Sequence, residues 1–196
     1  MDTSVENAYK IRWLILIYHL PREPSRHRVA VWRKLKALGA LYLQDGAAAL
    51  PDDAVTREQL EWLQLRVREA GGEATLWEAL PNTVAEDRAL VEEFRALREA
   101  VYRELIDTAG KLRRKAAIGA GGTVLLEELA RIERDFRNER RRDYFRSPLR
   151  KVADAAIREA RRVVKEGAGQ AVREDAGKCS GQPGEDVTWT GRPAYG

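Results

Sequence analysis

Cationic side chains gather in and just before a predicted helix near the N-terminus. Six of them lie between residues 22 and 36, namely Arg22, Arg26, Arg28, Arg33, Lys34 and Lys36. Guanidinium and ammonium groups beside the free N–H groups of a helix start suit phosphates or a tetrahedral oxyanion. The alternative is a solvated basic face with a purely structural role. We call these six residues the N-terminal basic cluster.

A second basic stretch occupies the last helical third of the chain. Its members are Arg131, Arg134, Arg137, Arg140, Arg141, Arg142, Arg146, Arg150 and Lys151. Acidic residues at helical spacing are expected to pair with about half of them. The run from 140 to 142 is the least neutralised. Arg140, Arg141 and Arg142 are therefore the second candidate contacts for phosphates or an anion, and we call them the second basic cluster.

The small net charge of +4 hides an uneven distribution along the chain. Residues 110–165 hold 17 Lys/Arg against 8 Asp/Glu, a net of +9. Residues 1–109 hold 15 against 18, a net of −3, and residues 166–196 hold 3 against 5, a net of −2. Segregated positive charge favours an anionic partner, of which nucleic acid is the commonest.

No arrangement typical of catalysis or metal binding is found in the sequence. His19 and His27 flank a proline-rich segment without a neighbouring cysteine or carboxylate pair, which makes a poor metal site. Residues 119–122 lack the Lys-Ser/Thr ending of a nucleotide-binding loop. The one cysteine, Cys179, excludes a disulfide framework. We therefore predict a protein that is not an enzyme and uses no cofactor or metal.

The first half of the chain alternates strand and helix patterns. An apolar run over 11–18 predicts a strand buried on both faces, and Ser25 is the expected N-cap of a helix ending at Leu38 before Gly39. Two short apolar runs, 40–44 and 47–51, flank the turn pair Asp45-Gly46 and predict a hairpin.

A capping box at Thr56 and Gln59 then predicts a helix through Ala70, followed by a strand over 73–79. The resulting order, β-α-β-β-α-β, predicts an α+β fold with a ferredoxin-like domain over residues 10–80. Both helices would cover one face of a four-stranded antiparallel sheet. The other face of the first strand would be covered by the C-terminal helices or by a second copy of the chain.

Four tryptophans fall in predicted elements of this domain. Core packing is the expected role of Trp13, Trp32, Trp62 and Trp77. The functional alternative places Trp13 or Trp62 at a dimer surface.

Residues 81–166 have helical periodicity and are predicted to form an α-helical extension. One long helix is expected over 84–115, a partner over 125–145 after a glycine-rich break, and a third from Ser147-Pro148 to Lys165. Helices of this length suit a long helical hairpin or a dimerising coiled-coil arm. The Gly-rich, polar stretch 167–196 is predicted to be a disordered tail.

The apolar runs are too short to cross a bilayer, and the N-terminus lacks the pattern of a targeting signal. With one cysteine, these features predict a soluble, cytoplasmic protein that has no membrane partner.

Several motifs resemble the N-terminal domain of ChrB-type chromate-resistance proteins. They are Trp13-Leu14-Ile15-Leu16-Ile17-Tyr18, Pro21-Arg22-Glu23-Pro24, Val31-Trp32-Arg33-Lys34-Leu35 and Gly71-Gly72-Glu73-Ala74, while Arg142-Asp143-Tyr144-Phe145 with Ser147-Pro148 resembles the family's helical extension. The resemblance implies a chromate-responsive regulator that binds the promoter DNA of a chromate-efflux operon. Longer members carry a second domain, which we expect this chain to lack.

The sequence thus predicts a DNA-binding transcriptional regulator associated with chromate resistance, acting as a homodimer set by its long helices. The two basic clusters would contact promoter phosphates, or chromate as an alternative anion. A second interpretation is an accessory interaction protein, a dimerising scaffold of the same resistance system that does not contact nucleic acid. A third, an enzyme acting on chromate, is disfavoured because the sequence contains no cofactor motif.

Overall fold

The computed structural model describes residues 11–118 and 122–179. The first part of the chain forms β1 (Trp13–His19), α1 (Ser25–Leu38), β2 (Leu41–Gln44), β3 (Ala47–Pro51), α2 (Ala54–Glu69) and β4 (Glu73–Ala79). Three long helices follow, α3 (Val84–Ala117), α4 (Gly122–Arg142) and α5 (Leu149–Cys179). The predicted α+β class and the β-α-β-β-α-β order are confirmed.

The four strands form one sheet in the order β2-β3-β1-β4, and all neighbouring strands are antiparallel. The central strand β1 is therefore flanked by the second strand of the hairpin and by β4. Gly46 in the hairpin turn has φ +77°, and a Cβ there would lie 2.5 Å from the carbonyl oxygen of Tyr18. Only glycine fits this turn, which confirms the hairpin predicted from Asp45-Gly46.

The start of α1 differs from the prediction that Ser25 is its N-cap. Pro24 occupies the N-cap position, with φ −77° and ψ 134°, and no side chain caps the helix. The proline ring already holds φ near this value, so the helix begins at Ser25 itself. The predicted end is confirmed, because Gly39 takes the left-handed conformation with φ +75°.

The start of α2 also differs, because the capping box lies one turn earlier than predicted. Asp53 is the N-cap, and its Oδ1 accepts hydrogen bonds from the N–H groups of Val55 and Thr56 at 2.8 and 2.9 Å. The Thr56 hydroxyl accepts one in return from the Asp53 N–H, at 3.0 Å. The prediction of a box at Thr56 and Gln59 is wrong, since the Asp53 carboxylate reaches the first N–H groups.

One face of the sheet packs against α1 and α2. Leu14 and Leu16 of β1 are completely buried there, together with Leu35 of α1 and Leu60 of α2. These side chains alternate along β1 with those of the other face, as the two-residue period of a strand requires.

Within the described part of the chain, the second face of the sheet is covered at one end only. Trp13 is 1% exposed, and its ring lies 5.3 Å from that of Phe94 in α3 and 5.8 Å from that of Phe145. Further along the same face, Ile17 is 46% exposed and Trp77 is 57% exposed. The helical extension therefore covers the start of β1, and the predicted burial of both faces is wrong at Ile17.

Of the four tryptophans predicted in the core, only Trp13 is buried, so its placement at a dimer surface is also wrong. Trp32, Trp62 and Trp77 are exposed by about half or more, at 47%, 59% and 57%. Trp32 and Trp62 lie on helix faces turned away from the sheet, where the described residues supply no further layer. The predicted core packing is therefore wrong for these three residues.

The long helices pack against one another as a three-helix bundle within one chain. Tyr102 and Leu112 of α3, Ile132 of α4 and Ile157 of α5 share its core. The apolar faces of the three helices therefore pack against one another within one chain. This explains why the extension forms a bundle and not a dimerising arm.

The ends of α4 and α5 differ from the prediction. The helix α4 ends at Arg142, and α5 continues to Cys179, so the predicted disorder is wrong for residues 167–179. Residues 180–196 lie outside the described part of the chain. None of the described helices is long and apolar enough to span a membrane.

Candidate nucleic-acid interface

The charged residues of helix α1 are all basic, and they lie on its exposed surface. Its sequence from Ser25 to Leu38 contains no Asp or Glu, and only Val31 and Leu35 are buried. All six members of the N-terminal basic cluster, in α1 and the segment before it, are exposed. Local folding explains this pattern, because two inward apolar residues one turn apart suffice to dock the helix.

None of these six cations is neutralised within the described residues. The salt bridges found there involve other basic side chains. Arg26 Nε lies 3.5 Å from His27 Nε2, and Lys36 Nζ lies 4.9 Å from the centre of the Trp32 ring. Neither contact removes charge, so α1 presents an uncompensated positive surface.

The cluster does not converge on one point. Arg26 and Arg33 are seven residues apart and share the side opposite to Val31 and Leu35. Lys34 faces the neighbouring helix instead, where it lines a groove of about 570 Å³ between α1 and α2 with His27 and Trp62. A convex spread of charge suits an extended polyanion better than one small ion.

The second basic cluster is divided by the structure. Arg140 and Arg141 are exposed, and the guanidinium of Arg140 lies 5.9 Å from the ring centre of Phe136. Arg142 is half-buried; its Nε donates a 2.9 Å hydrogen bond to the carbonyl oxygen of Ala37. Arg142 thus ties the end of α4 to the last turn of α1.

A second contact strengthens this joint. The Tyr144 hydroxyl donates a 2.8 Å hydrogen bond to the carbonyl oxygen of Leu38. Both acceptors are orphan carbonyls at the C-terminal end of α1, which a helix leaves unsatisfied. The position of α1 is therefore fixed by the helical extension as well as by the sheet.

Buried acidic groups lie behind the joint. Glu139 is 2% exposed and lies 2.9 Å from Arg98 and 3.8 Å from Arg142. Burial raises the pKa of Glu139 above its usual value, although the two guanidinium groups act in the opposite direction. The Asp143 carboxylate accepts a 3.0 Å hydrogen bond from the Tyr102 hydroxyl, whose pKa is raised by burial and by that negative charge.

A concave site lies at the corner where α4 leads into α5. Four arginines line this cleft of about 290 Å³, namely Arg137, Arg140, Arg141 and Arg150. The sequence predicts Arg140 and Arg141 as site residues, whereas Arg137 and Arg150 are not in the predicted site. The spacing of 137, 140 and 141 is a helical-face signal, whereas the approach of Arg150 depends on the turn between the helices.

The described residues contain no group of three or more His, Cys, Asp or Glu side chains placed to hold a metal ion. His19 is exposed and His27 is half-buried beside Arg26. Cys179 closes α5, and its side chain is outside the described part of the structure.

Comparison with known proteins finds a matching family. The family model for the N-terminal part of Protein ChrB matches residues 28–178, from α1 to the last residues of α5. Protein ChrB of Cupriavidus metallidurans is 35% identical over 107 residues, a match covering 55% of this chain and 28% of that relative. The match therefore represents under a third of the relative's length. No solved structure matches the chain. With most of its length covered by the family model, this chain belongs to the ChrB N-terminal family.

Proposed function

We propose that this protein is a DNA-binding transcriptional regulator associated with chromate resistance. The N-terminal basic cluster contacts the phosphates of promoter DNA, and the protein acts in the cytoplasm as a homodimer. The observation that carries the proposal is the uncompensated positive surface of α1, a helix with five cationic residues and no carboxylate.

The physical argument concerns counterions. Exposed cations without carboxylate partners are already solvated, so contact with phosphates costs no intramolecular ion pair. Each phosphate they neutralise releases a condensed counterion from the duplex, which drives binding at moderate salt. Such contacts position a protein on DNA, and sequence is read by other groups.

Family membership supports the association with chromate resistance. The family matched is that of ChrB, and the sequence motifs resemble ChrB-type chromate-resistance proteins. Chromate is a tetrahedral oxyanion, and the same guanidinium groups would bind it with paired donors. Chromate is therefore the alternative anion for these residues. The proposed role involves no catalysis and no cofactor.

The experiment replaces three arginines of the N-terminal basic cluster. We expect the triple variant Arg26→Ala, Arg28→Ala and Arg33→Ala to lose binding to the operon's upstream DNA in a gel-shift assay. The matched control is Arg103→Ala, Arg158→Ala and Arg162→Ala, which removes the same charge from exposed ion pairs of the bundle. Unchanged shifts in the first variant would remove α1 from the interface. Chromate added to the wild-type complex tests whether the oxyanion competes for the same residues.

A second candidate function is an accessory interaction protein that makes no nucleic-acid contact. It is favoured by the uncovered part of the second sheet face, where Ile17 and Trp77 are exposed. We expect such a protein to be a dimer, and the double variant Ile17→Ser and Trp77→Ser to be a monomer. Light scattering measures the mass of both proteins. Leu65→Ser, on an exposed position of α2, is the control. Dimers in both variants would exclude the sheet face as the contact.

A further inference from the structure

The corner between α4 and α5 holds positive charge that nothing in the described chain neutralises. Four arginines line its cleft, three from the last turns of α4 and Arg150 from the first turn of α5. We call these four residues the arginine cleft. Arg137, Arg140 and Arg141 are exposed and Arg150 is half-buried. No salt bridge in the described part of the chain involves any of the four.

Two carboxylates at pairing distance in sequence from these arginines have other partners. Glu133, four residues before Arg137, accepts a 2.7 Å contact from Arg161 of α5. Asp154, four residues after Arg150, lies 3.0 Å from Arg158. Two positions at which an intrahelical pair would normally form are thus occupied by other cations.

The two buried carboxylates nearby are also occupied. Glu139 lies 2.9 Å from Arg98, on the side of α4 that faces α3. The oxygens of Asp143 accept hydrogen bonds from the Tyr102 hydroxyl at 3.0 Å and from the Ser147 N–H at 2.9 Å. Asp135, two residues before Arg137, lines the groove between α3 and α4 instead. In the described part of the chain, no carboxylate therefore forms a salt bridge with the arginine cleft, although five acidic residues lie within a few positions in sequence.

Four guanidinium groups around one concave space repel one another, and an external anion relieves that repulsion. The N-terminal end of α5 adds the positive end of its helix dipole beside Arg150. Guanidinium groups present paired donors in a planar fork, which matches the oxygens of a phosphate group. Because the site is concave, several donors can reach the same group.

We propose that the arginine cleft is a phosphate-binding site that holds the DNA backbone as a second anchor beside α1. This inference rests on the proposed DNA-binding function. The hydrogen bond from Arg142 to Ala37 joins the end of α4 to the last turn of α1, and in this proposal one duplex reaches both surfaces. The group that binds in the cleft is a phosphate, and it can come from a DNA backbone or from free inorganic phosphate.

The test uses the full chain and the triple variant Arg137→Gln, Arg141→Gln and Arg150→Gln. Arg140 is kept because it packs over Phe136. The matched control is Arg103→Gln, Arg158→Gln and Arg162→Gln, which removes the same charge from ion-paired arginines. Fluorescence anisotropy measures DNA affinity over a range of salt, on promoter and on random duplexes.

We expect the cleft variant to bind both duplexes at least about tenfold more weakly, with a salt slope shallower by about 2 to 3. The control variant should keep the wild-type slope. The melting temperature of the cleft variant should hold or rise, because its substitutions relieve repulsion. If the wild type binds DNA and both variants bind it as tightly as the wild type does, the cleft is overturned as a DNA anchor while the proposed function stands.

Inorganic phosphate provides the second arm, measured by calorimetry and by the shift in melting temperature. Phosphate that binds the wild type and the control but not the cleft variant, with equal DNA binding by all three proteins, identifies free phosphate as the source. The same arm tests the cleft if the wild type binds no DNA, an outcome that refutes the proposed function. Failure of all three proteins to bind either DNA or phosphate overturns the inference.

Discussion

The indole Nε1 of Trp13 donates a 2.9 Å hydrogen bond to Oδ1 of Asp87, across 74 residues of sequence. Both residues are buried, and Oδ2 of the same carboxylate accepts a 3.3 Å hydrogen bond from the N–H of Ile11. Asp87 lies in the first turn of α3, where a negative charge also interacts favourably with the helix dipole. One carboxylate therefore fastens the central strand of the sheet to the helical extension.

Removing this carboxylate should destabilise the whole protein. Asp87→Ala leaves two donors without an acceptor, the buried indole N–H of Trp13 and the N–H of Ile11. We expect a loss of about 2–3 kcal/mol in the free energy of unfolding. Asp87→Asn keeps an acceptor oxygen for the indole and should cost less. Urea unfolding followed by fluorescence measures both, and equal losses in the two variants would contradict the role given to the carboxylate.

Local signals in the sequence were sufficient for the sheet domain. Alternating apolar runs, the Asp45-Gly46 turn and the helix end at Gly39 all depend on neighbours within a few residues, and the structure confirms each of them. The exposure of Trp32 and Trp62 could not be predicted from the sequence. Amphipathic spacing does not show whether another element packs on the outer side of a helix.

Contacts between distant parts of the chain were beyond sequence reasoning. The bond from Tyr144 to Leu38 spans 106 residues, and the packing of Phe145 on Trp13 depends on the bundle folding back onto the sheet. The same return places Arg142 in a structural joint and Arg150 in the arginine cleft. Periodicity identified basic helices, but only the tertiary fold separates cations that hold the molecule together from cations that face outward.

Two adjacent arginines should therefore behave differently. Arg142→Ala removes the hydrogen bond to Ala37 and one partner of buried Glu139, so we expect a loss of about 1–2 kcal/mol in stability. Arg141→Ala, at an exposed position, should leave stability unchanged and weaken DNA binding. Thermal melts and anisotropy on the two single variants measure this split, and equal stability losses would count against it.

Glu139 should make stability depend on pH. Because burial raises its pKa above the usual 4.5, the native state holds this proton more tightly than the unfolded chain. The contribution of this proton to the stability of the native state is complete below pH 4.5. It is lost as the pH rises through the native pKa of Glu139.

Glu139→Gln removes the titrating group while keeping most of its shape. The difference in unfolding free energy between wild type and variant should therefore move in the variant's favour as pH rises from about 4.5. Denaturant unfolding of both proteins across this range gives the difference directly. A difference independent of pH would show that the pKa of Glu139 is the same in both states.

The salt dependence of DNA binding tests the central claim most directly. If the six residues of the N-terminal basic cluster each neutralise one phosphate, log affinity plotted against log salt concentration falls with a slope of about −5, and the arginine cleft makes it steeper. We predict that the Arg26, Arg28 and Arg33 alanine variant has a slope shallower by about 3 than that of the wild type. A wild-type affinity that does not change with salt, or identical slopes for the two proteins, would contradict the account.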